Sequence, residues 1–261
     1  HNQPAATRFL RRESSETMTG YIQYSDRVLF PLWSHLEDAL REGSHRWEQE
    51  FGGKRVLFDR FFATDQEKRT FLSGMHGGGL LSSPAAVAAF DLSRFQTMAD
   101  LGGGTGHLVI EACKRYPNLR GWVFDLPAVG PVAAEYIAAA GLEGRIKFAA
   151  GDFFTDPLPA ADLCALGRIL HDWSDEKVRL LLDKIFSHLG DGGVLLICEK
   201  LLSEKRDGPA TAYLQSLNML VCTEGRERMP SEYEALVKSA GFKTFAYRRT
   251  GRPLDVMLAA K

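Results

Sequence analysis

The stretch that decides the fold is Met98–His107, which reads MADLGGGTGH. An apolar strand is predicted to end at Asp100 and Leu101, a glycine loop follows over Gly102–Gly106, and an apolar helix starts at Leu108. Glycine is required where the backbone takes a positive φ or passes close to a ligand, and the first turn of a helix offers N–H groups without partners. The order of strand, glycine loop and helix therefore predicts a site for a nucleotide-type cofactor.

The spacing of the glycines separates two cofactor classes. A dinucleotide fingerprint reads G-x-G-x-x-G, or Ala at its third small position, and here that position holds His107. The chain instead carries Asp100 two positions before a G-x-G-x-G run that begins at Gly102 and Gly104. This pattern resembles the first motif of class I S-adenosylmethionine-dependent methyltransferases, and the resemblance implies that these three residues belong to the cofactor site. An NAD-dependent oxidoreductase is the less favoured alternative.

Composition excludes several function classes. The 261 residues are 45% hydrophobic with a formal net charge of −1, which describes a globular protein with enough length for a full α/β core and without the basic excess that nucleic acid requires. The four cysteines have no C-x-x-C spacing, so we predict neither disulfides nor zinc. No apolar run reaches the roughly 18 residues of a membrane span, and no signal-peptide pattern is present. We therefore expect no membrane partner and a cytoplasmic location.

The chain divides by periodicity into two parts. Residues 1–95 are predicted to form a helical segment, and residues 96–261 a cofactor-binding catalytic domain. The predicted helices of the first part are Arg27–Glu42, Leu57–Phe62 and Asp65–Met75. Gly77–Gly79 is predicted to be a loop, and Ser83 with Pro84 is predicted to start another helix as N-cap and first residue.

In the second part, strands alternate with helices. Strands are predicted near 97–101, 120–125, 146–150, 162–168, 193–199, 243–249 and 254–260. Helices are predicted near 106–115, 130–140, 175–189, 210–222 and 231–240. This alternation predicts a Rossmann-like α/β fold, with a doubly wound, mainly parallel, seven-stranded sheet covered on both faces and ligands at the carboxyl ends of the strands.

Acidic residues follow the second and third predicted strands. Asp125 comes about 20 positions after the glycine loop, where a carboxylate can accept hydrogen bonds from both hydroxyls of an adenosine ribose. In Gly151-Asp152-Phe153 the glycine permits close approach, the carboxylate can meet the adenine amino group, and the ring can stack on the base. An N-cap role for Asp125 and a structural turn at the third strand stay open. The three strand ends together are more specific than any one of them.

His171 is the histidine placed at the end of the fourth predicted strand, in the run RILHDW. A phenol with a pKa of about 10 is a poor nucleophile at neutral pH until a base removes its proton, and histidine suits that role. Glu199, at the end of the fifth strand, is the candidate for holding the imidazole in one tautomer. A structural histidine near a helix N-terminus stays open as the alternative.

Five stretches between about Tyr24 and Lys261 resemble the small-molecule O-methyltransferases of the plant caffeate and animal acetylserotonin (hydroxyindole) type. They are Asp100–Gly106, Val123–Pro127, Gly151–Pro159, Arg168–Trp173 and Ser216–Arg228. The acetylserotonin branch is the most similar. The resemblance implies transfer of a methyl group from S-adenosylmethionine to an aromatic hydroxyl, phenolic or hydroxyindole-like, without a metal ion and with S-adenosylhomocysteine as product.

The resemblance also implies roles for individual residues. His171 would be the general base, with Glu199 and Glu227 orienting it and stabilising its charged form. The implied cofactor contacts are Phe30, Trp47, Asp125, Leu126, Gly151, Asp152, Phe153 and Arg168. Asp172, Asn218 and Cys222 would bind the acceptor. Pattern alone assigns Phe30 and Trp47 to the core. Acetylserotonin-type enzymes carry glutamine where Cys222 stands, which makes N-acetylserotonin itself doubtful as the acceptor.

Several alternatives remain open at this stage. Family members carry a winged-helix domain that forms an intertwined dimer, and this chain begins about where that domain ends, so we expect a homodimer if the domain is present. A non-methylating relative that performs decarboxylation or hydroxylation is the main alternative function, followed by a binding module without catalysis. Asp172, Asp175 and Glu176 are clustered as in a magnesium site, but helix N-termini favour acidic residues anyway. We therefore predict no metal.

Overall fold

Seven strands form one sheet in the order β3-β2-β1-β4-β5-β7-β6 in the computed structural model, which describes residues 2–14, 16–53 and 61–261. The strands are β1 (Thr97–Leu101), β2 (Arg120–Asp125), β3 (Ile146–Ala150), β4 (Leu163–Gly167), β5 (Val194–Glu199), β6 (Thr244–Arg248) and β7 (Asp255–Ala260). Strands β1 to β5 run parallel, and β7 is antiparallel to both β5 and β6. Chain order reverses between β1 and β4, and open sheets bind ligands at such a switch point.

Helices precede the sheet and connect its strands. Before β1 lie α1 (Pro4–Phe9), α2 (Thr19–Tyr24), a π-helical turn (Ser25–Leu29), α3 (Phe30–Trp33), α4 (Leu36–Glu42), α5 (Trp47–Phe51) and α6 (Asp65–Ala88). The sheet region contains α7 (His107–Arg115), α8 (Gly130–Ala139), α9 (Asp175–His188), α10 (Ala210–Cys222) and α11 (Pro230–Ser239), with 3₁₀ turns at Pro127–Val129 and Leu170–Asp172. The described helices include none that is both long and apolar enough to cross a membrane.

The central strands of the sheet are buried on both faces, because successive side chains point to opposite sides and helices cover each side. In β5, Val194, Leu196 and Cys198 pack with apolar residues of α6, α7 and α8. Leu195 and Ile197 of the same strand pack with α9 and α11. This double coverage explains why β4 and β5 are almost continuously apolar. The structure therefore confirms the predicted α/β fold.

A third apolar cluster joins the helices before the sheet to α10. Leu32 and Trp47 pack there with Val221 and Cys222. The predicted helix over Arg27–Glu42 is wrong in its bounds, since helical structure begins at Thr19 and is interrupted after Trp33. The Ser34 hydroxyl donates to the carbonyl of Pro31 at 2.6 Å, and such a side-chain bond competes with continuation of a helix. The helix predicted over 57–62 lies largely outside the described residues.

The glycine-rich stretch before β1 is the main error of the sequence prediction. Gly77–Gly79, predicted as a loop, and Ser83 with Pro84, predicted as a helix start, all lie inside α6. The glycines serve packing rather than a turn, because a Cβ on Gly79 would collide with the ring of His107 and one on Gly77 would lie 2.8 Å from the carbonyl oxygen of Thr17. Single-sequence patterns cannot separate a glycine that breaks a helix from one that admits a neighbour.

We expect Gly79→Ala to destabilise the protein by about 1–3 kcal/mol, the usual cost of overpacking. Helix propensity alone would instead favour alanine by about 1 kcal/mol, so the sign of the change decides between the two effects. Urea unfolding measures the free energy, with Gly144→Ala as the control because a Cβ there meets nothing within 4 Å. A Gly79→Ala protein at least as stable as the parent would contradict this packing role.

Candidate active site

The glycine loop after β1 has the backbone geometry that its sequence requires. Gly102, Gly104 and Gly106 have φ values of +68°, +56° and +79°, where a side chain is strained. The Asp125 carboxylate at the end of β2 accepts from Gly104 N at 2.8 Å through Oδ2 and from Leu126 N at 2.7 Å through Oδ1. The ends of β1 and β2 are thus joined by a carboxylate that contacts the loop directly.

Asp100 lies beneath the loop. Its buried carboxylate accepts from Val109 N at 3.3 Å in the first turn of α7. Burial raises the pKa of Asp100 to about 7, although the bond from Val109 lowers it. Burial likewise raises the pKa of Asp125 to about 6 against the N–H bonds it accepts. Asp100 therefore supports the loop from below, whereas half-buried Asp125 lies at the strand end.

The end of β3 approaches the same loop. A Cβ on Gly151 would lie 2.6 Å from the ring of Phe124, so glycine is required there for close approach. Asp152 Oδ1 accepts from Phe154 N at 2.8 Å. Phe153 Cε1 lies 3.3 Å from the position that a Cβ would take on Gly102. The structure thus brings the ends of β1, β2 and β3 together.

Helix α6 closes the other side of the loop through two histidines. His76 Nδ1 lies 2.8 Å from Thr105 Oγ1, and His107 Nδ1 lies 2.8 Å from Ser83 Oγ. Burial lowers the pKa of His76 to about 4 and that of His107 to about 3, so both rings are neutral at physiological pH. His107 occupies the third small-residue position of the dinucleotide pattern. Its neutral ring packs against α6.

Arg168 follows β4 with a φ of +58°, which is uncommon for a residue other than glycine and recurs at functional sites. Its guanidinium reaches α6 through contacts of 3.4 Å to Met75 O and to Ser82 Oγ. The side chain thereby spans the gap between the end of β4 and α6, next to the glycine loop.

His171 occupies the 3₁₀ turn after Arg168 and is only 4% exposed. Its Nδ1 lies 2.7 Å from Glu227 Oε1 and 3.4 Å from Glu199 Oε2. Because a carboxylate only accepts, Nδ1 carries the hydrogen and Nε2 is left with its lone pair in the neutral ring. Nε2 is 3.8 Å from Asp172 Oδ1.

The two glutamates act on different parts of this turn. Sequence order favoured Glu199 as the partner of the ring, but the closer partner is Glu227. Glu199 Oε1 instead accepts from Ile169 N at 3.0 Å and from Leu170 N at 2.9 Å. Within the described ranges, the Oε2 atoms of Glu199 and Glu227 have no hydrogen-bond partner. One glutamate holds the main chain, and the other holds the imidazole.

The charges of this cluster shift its pKa values strongly. Burial lowers the pKa of His171, but the negative charges of Glu199, Glu227 and Asp172 together raise it by more, and the resulting pKa is about 10. Burial raises the pKa of Glu199 to about 7, opposed by His171 and reinforced by Glu227. Burial also raises the pKa of Asp172 to about 6, opposed by His171. The cluster therefore binds a proton tightly on the imidazole.

His171, Glu199 and Glu227 are also, among the residues that the structure describes, the three side chains close enough to share a metal ion. The acidic residues considered for magnesium are arranged differently, since Asp175 accepts from Arg228 Nη2 at 2.7 Å. A contact of 2.7 Å between Nδ1 and Oε1 is a hydrogen-bond distance.

Asn218 and Cys222 lie one turn apart on α10. Trp33 Nε1 donates to Asn218 Oδ1 at 2.9 Å, and Cys222 Sγ is 3.8 Å from the same oxygen. Tyr24 is a further candidate that the sequence does not indicate: it is buried, and its phenol pKa is raised first by burial and then by the neighbouring Cys222 and Asp172. In the sequence Tyr24 is one of several aromatics on helices, so no local signal distinguishes it.

The two aromatics assigned by resemblance have different surroundings. Trp47 is 2% exposed, packs edge-on against Phe61 with ring centroids 5.3 Å apart, and donates through Nε1 to Cys222 O. Phe30 is 78% exposed on α3. The position of Trp47 joins the helical segment to α10, whereas the position of Phe30 gives a cofactor contact within this chain no support.

Comparison with known proteins identifies the family. A family model described as an O-methyltransferase domain matches residues 33–243. Acetylserotonin O-methyltransferase from Bos taurus is 41% identical over 261 residues, covering all of this chain and 75% of the relative. The Homo sapiens enzyme is 40% identical with the same coverage. The chain belongs to the O-methyltransferase family. The family model and these relatives show that the chain is an S-adenosylmethionine-dependent O-methyltransferase.

Solved structures of family members agree with this assignment. Human N-acetylserotonin methyltransferase in complex with SAM superposes with a TM-score of 0.95 at 39% identity, covering all of this chain and 75% of the other. PigF with SAH gives a TM-score of 0.90 at 27% identity, covering 100% and 79%. These similarities confirm the predicted methyltransferase fold and S-adenosylmethionine as methyl donor.

The residues at the sheet edge of this O-methyltransferase fit such a donor. The glycines leave the backbone open, Asp125 has carboxylate oxygens that hydroxyls can bind, and the ring of Phe153 lies beside the loop. Asp125, Phe153 and Arg168 are therefore the side chains we would expect to hold the methyl donor.

We expect Asp125→Asn to weaken binding of S-adenosylhomocysteine at least about tenfold, because an amide accepts hydroxyl hydrogen bonds less strongly than a carboxylate. Calorimetric titration measures the Kd. Asp162→Asn is the matched control, since Asp162 also accepts two main-chain N–H bonds, from Gln96 and Thr97 at 2.8 Å, but at the amino-terminal end of the sheet. Equal losses in both variants would mean that Asp125 acts through the stability of the fold and not through contact with the ligand.

Proposed function

We propose that this O-methyltransferase methylates an aromatic hydroxyl of the hydroxyindole or phenol class, with His171 as the general base. The observation that carries the proposal is the buried contact of 2.7 Å between His171 Nδ1 and Glu227 Oε1, which fixes the tautomer that can accept a proton at Nε2. Support for the acceptor class comes from the relatives, which are named acetylserotonin O-methyltransferases.

The proton transfer follows from these contacts. When bound, S-adenosylmethionine supplies an electrophilic methyl group and leaves as S-adenosylhomocysteine. The acceptor hydroxyl gives its proton to His171 Nε2 as its oxygen becomes the nucleophile. The resulting imidazolium is stabilised by the negative charges of Glu227 and Glu199, and it later returns the proton to water. Glu199 also keeps the turn in place through the N–H groups of Ile169 and Leu170.

The acceptor side is proposed to consist of Asp172, Asn218 and Cys222, with Tyr24 added from the structure. Because Trp33 already donates to Asn218 Oδ1, we expect Asn218 to present its N–H groups to the acceptor. Asp172 contributes a carboxylate near Nε2. The Cys222 thiol is a weak donor in place of the glutamine amide of acetylserotonin-type enzymes, so we expect an acceptor with fewer polar groups at that point.

Organisation beyond a single chain is also a proposal. Residues 1–95 would form a helical segment that completes the acceptor side, and residues 96–261 the catalytic domain. Large apolar side chains are exposed on helices outside the sheet, at Ile22, Phe30, Leu40, Tyr213 and Leu214. Such exposure favours an interface, so we propose a homodimer. A cytoplasmic location is proposed from the sequence composition.

Replacing the base is the direct test of this function. We expect His171→Gln to lower kcat by about 10²- to 10⁴-fold, the usual contribution of a general base, while the Kd for S-adenosylhomocysteine changes less than about twofold. Methyl transfer to N-acetylserotonin and to caffeate is measured with and without EDTA. His188→Gln is the control, because the ring of His188, which lies outside the site, hydrogen-bonds to a main-chain carbonyl, that of Pro159 at 2.9 Å.

Two results would contradict the proposal. Undiminished methylation by His171→Gln would exclude the base, and loss of wild-type activity in EDTA would indicate a metal at His171, Glu199 and Glu227.

We also expect Glu227→Gln to move the acidic limb of the kcat–pH profile to lower pH. Glu227 raises the pKa of His171, so its removal lowers that pKa and the neutral base forms at lower pH. The plateau rate should fall, because the imidazolium loses a stabilising charge. Glu224→Gln is the control, since Glu224 is an exposed carboxylate of the same segment that binds Lys177. An acidic limb that stays at the same pH or moves to higher pH would exclude this effect of Glu227 on the pKa of His171.

A further inference from the structure

The segment Gly225–Arg228 lies directly against the turn that carries His171. A Cβ on Gly225 would collide with His171 O and lie 2.6 Å from Trp173 N. The two backbones are therefore in direct contact, which only glycine permits. Glu227 then extends to the ring of His171, and Arg228 follows it. The sequence pattern of this segment indicates no role for Gly225 or Arg228.

Arg228 is 1% exposed, and its guanidinium binds main-chain carbonyls of the same turn. Nη1 donates to Leu170 O at 2.8 Å, and Nη2 donates to Trp173 O at 2.9 Å. These carbonyls flank His171 on both sides. The opposite edge of the guanidinium binds Asp175 Oδ1, through Nε at 2.9 Å and Nη2 at 2.7 Å.

Arg228 and Glu199 together hold both kinds of main-chain group in this turn. Glu199 accepts from the N–H groups of Ile169 and Leu170, while Arg228 donates to the carbonyls of Leu170 and Trp173. A short 3₁₀ turn makes few internal hydrogen bonds and needs outside partners. The rigid planar fork of arginine can bind two carbonyls at once, which lysine cannot do with the same geometry.

We propose that Arg228 is a positioning residue for methyl transfer, which holds the turn so that Nε2 of His171 faces the acceptor hydroxyl. The proposal rests on the proposed role of His171. It makes Arg228 act on the rate through the base and leaves binding of the methyl donor unchanged. Displacement of a reacting group by 1 Å can cost about 10²-fold in rate, so a modest shift of the turn is sufficient.

The test is Arg228→Lys, which keeps the charge and removes the fork. We expect kcat with N-acetylserotonin or caffeate to fall at least about tenfold, while KM for S-adenosylmethionine and Kd for S-adenosylhomocysteine stay within about twofold. Arg145→Lys is the matched control. Arg145 also binds main-chain carbonyls, those of Pro117 at 2.6 Å and Cys113 at 2.7 Å, but at the amino-terminal end of β3. It should lower the melting temperature and leave kcat unchanged.

A milder variant guards against misfolding. Asp175 is 41% exposed at its side chain, and Asp175→Asn weakens the anchor of the guanidinium without touching its bonds to Leu170 and Trp173. We expect a smaller loss of kcat, again with unchanged KM. A folded Arg228→Lys protein with the parent kcat would overturn the proposal, and so would the parent kcat in Asp175→Asn if Arg228→Lys does not fold.

The His171→Gln background separates this proposal from the proposed function. If Arg228 acts through His171, adding Arg228→Lys to His171→Gln lowers the residual rate no further. A further drop as large as that in the parent would show that Arg228 acts independently and would overturn the proposal. Full activity of His171→Gln alone would instead contradict the base itself. Loss of activity in His171→Gln with no effect of Arg228→Lys would contradict only the positioning role.

Discussion

The contact between the His171 imidazole and the Glu227 carboxylate is the interaction on which the rest of the site depends. Both groups are buried, and removing charges from water is costly unless they are paired and hydrogen-bonded. The imidazole offsets this cost for Glu227, and the hydrogen bonds from two main-chain N–H groups offset it for Glu199. Because the Oε2 atoms of both glutamates already lack a hydrogen-bond partner among the described residues, displacement of the turn would leave these buried carboxylates with fewer hydrogen bonds still.

The sheet brings this contact to the methyl-donor site because β4 and β1 are neighbours at the point where chain order reverses. The glycine loop follows β1, and the base follows β4. Arg168, between β4 and the base, extends to α6, which also contacts the loop through His76 and His107. Helix α6 therefore forms one side of the site. The glycines of α6 allow Arg168 and the residues after the loop to approach the helix backbone.

Local chemistry explains which parts were predictable. The glycine loop needs positive φ at particular positions and Asp125 ends an apolar strand, so both features appear in consecutive residues. Gly77–Gly79 were mistaken for a loop because the ring that fills the space at Gly79 belongs to His107, far along the chain. Glu227, by contrast, follows α10 rather than a strand, so sequence order alone pointed to Glu199. Only the family resemblance places Glu227 beside His171, and no local pattern in the sequence indicates the role of Arg228.

The same carboxylates that favour proton transfer also limit it. A more basic imidazole takes a proton more readily, yet the raised pKa of His171, about 10, also reduces the fraction of neutral ring that can act as a base at neutral pH. Glu199, with a pKa near 7, moderates this conflict, because its neutral form removes one negative charge and lowers the proton affinity of His171. The carboxylates around His171 thus stabilise an imidazolium, and protonation of Glu199 allows some neutral imidazole to be retained.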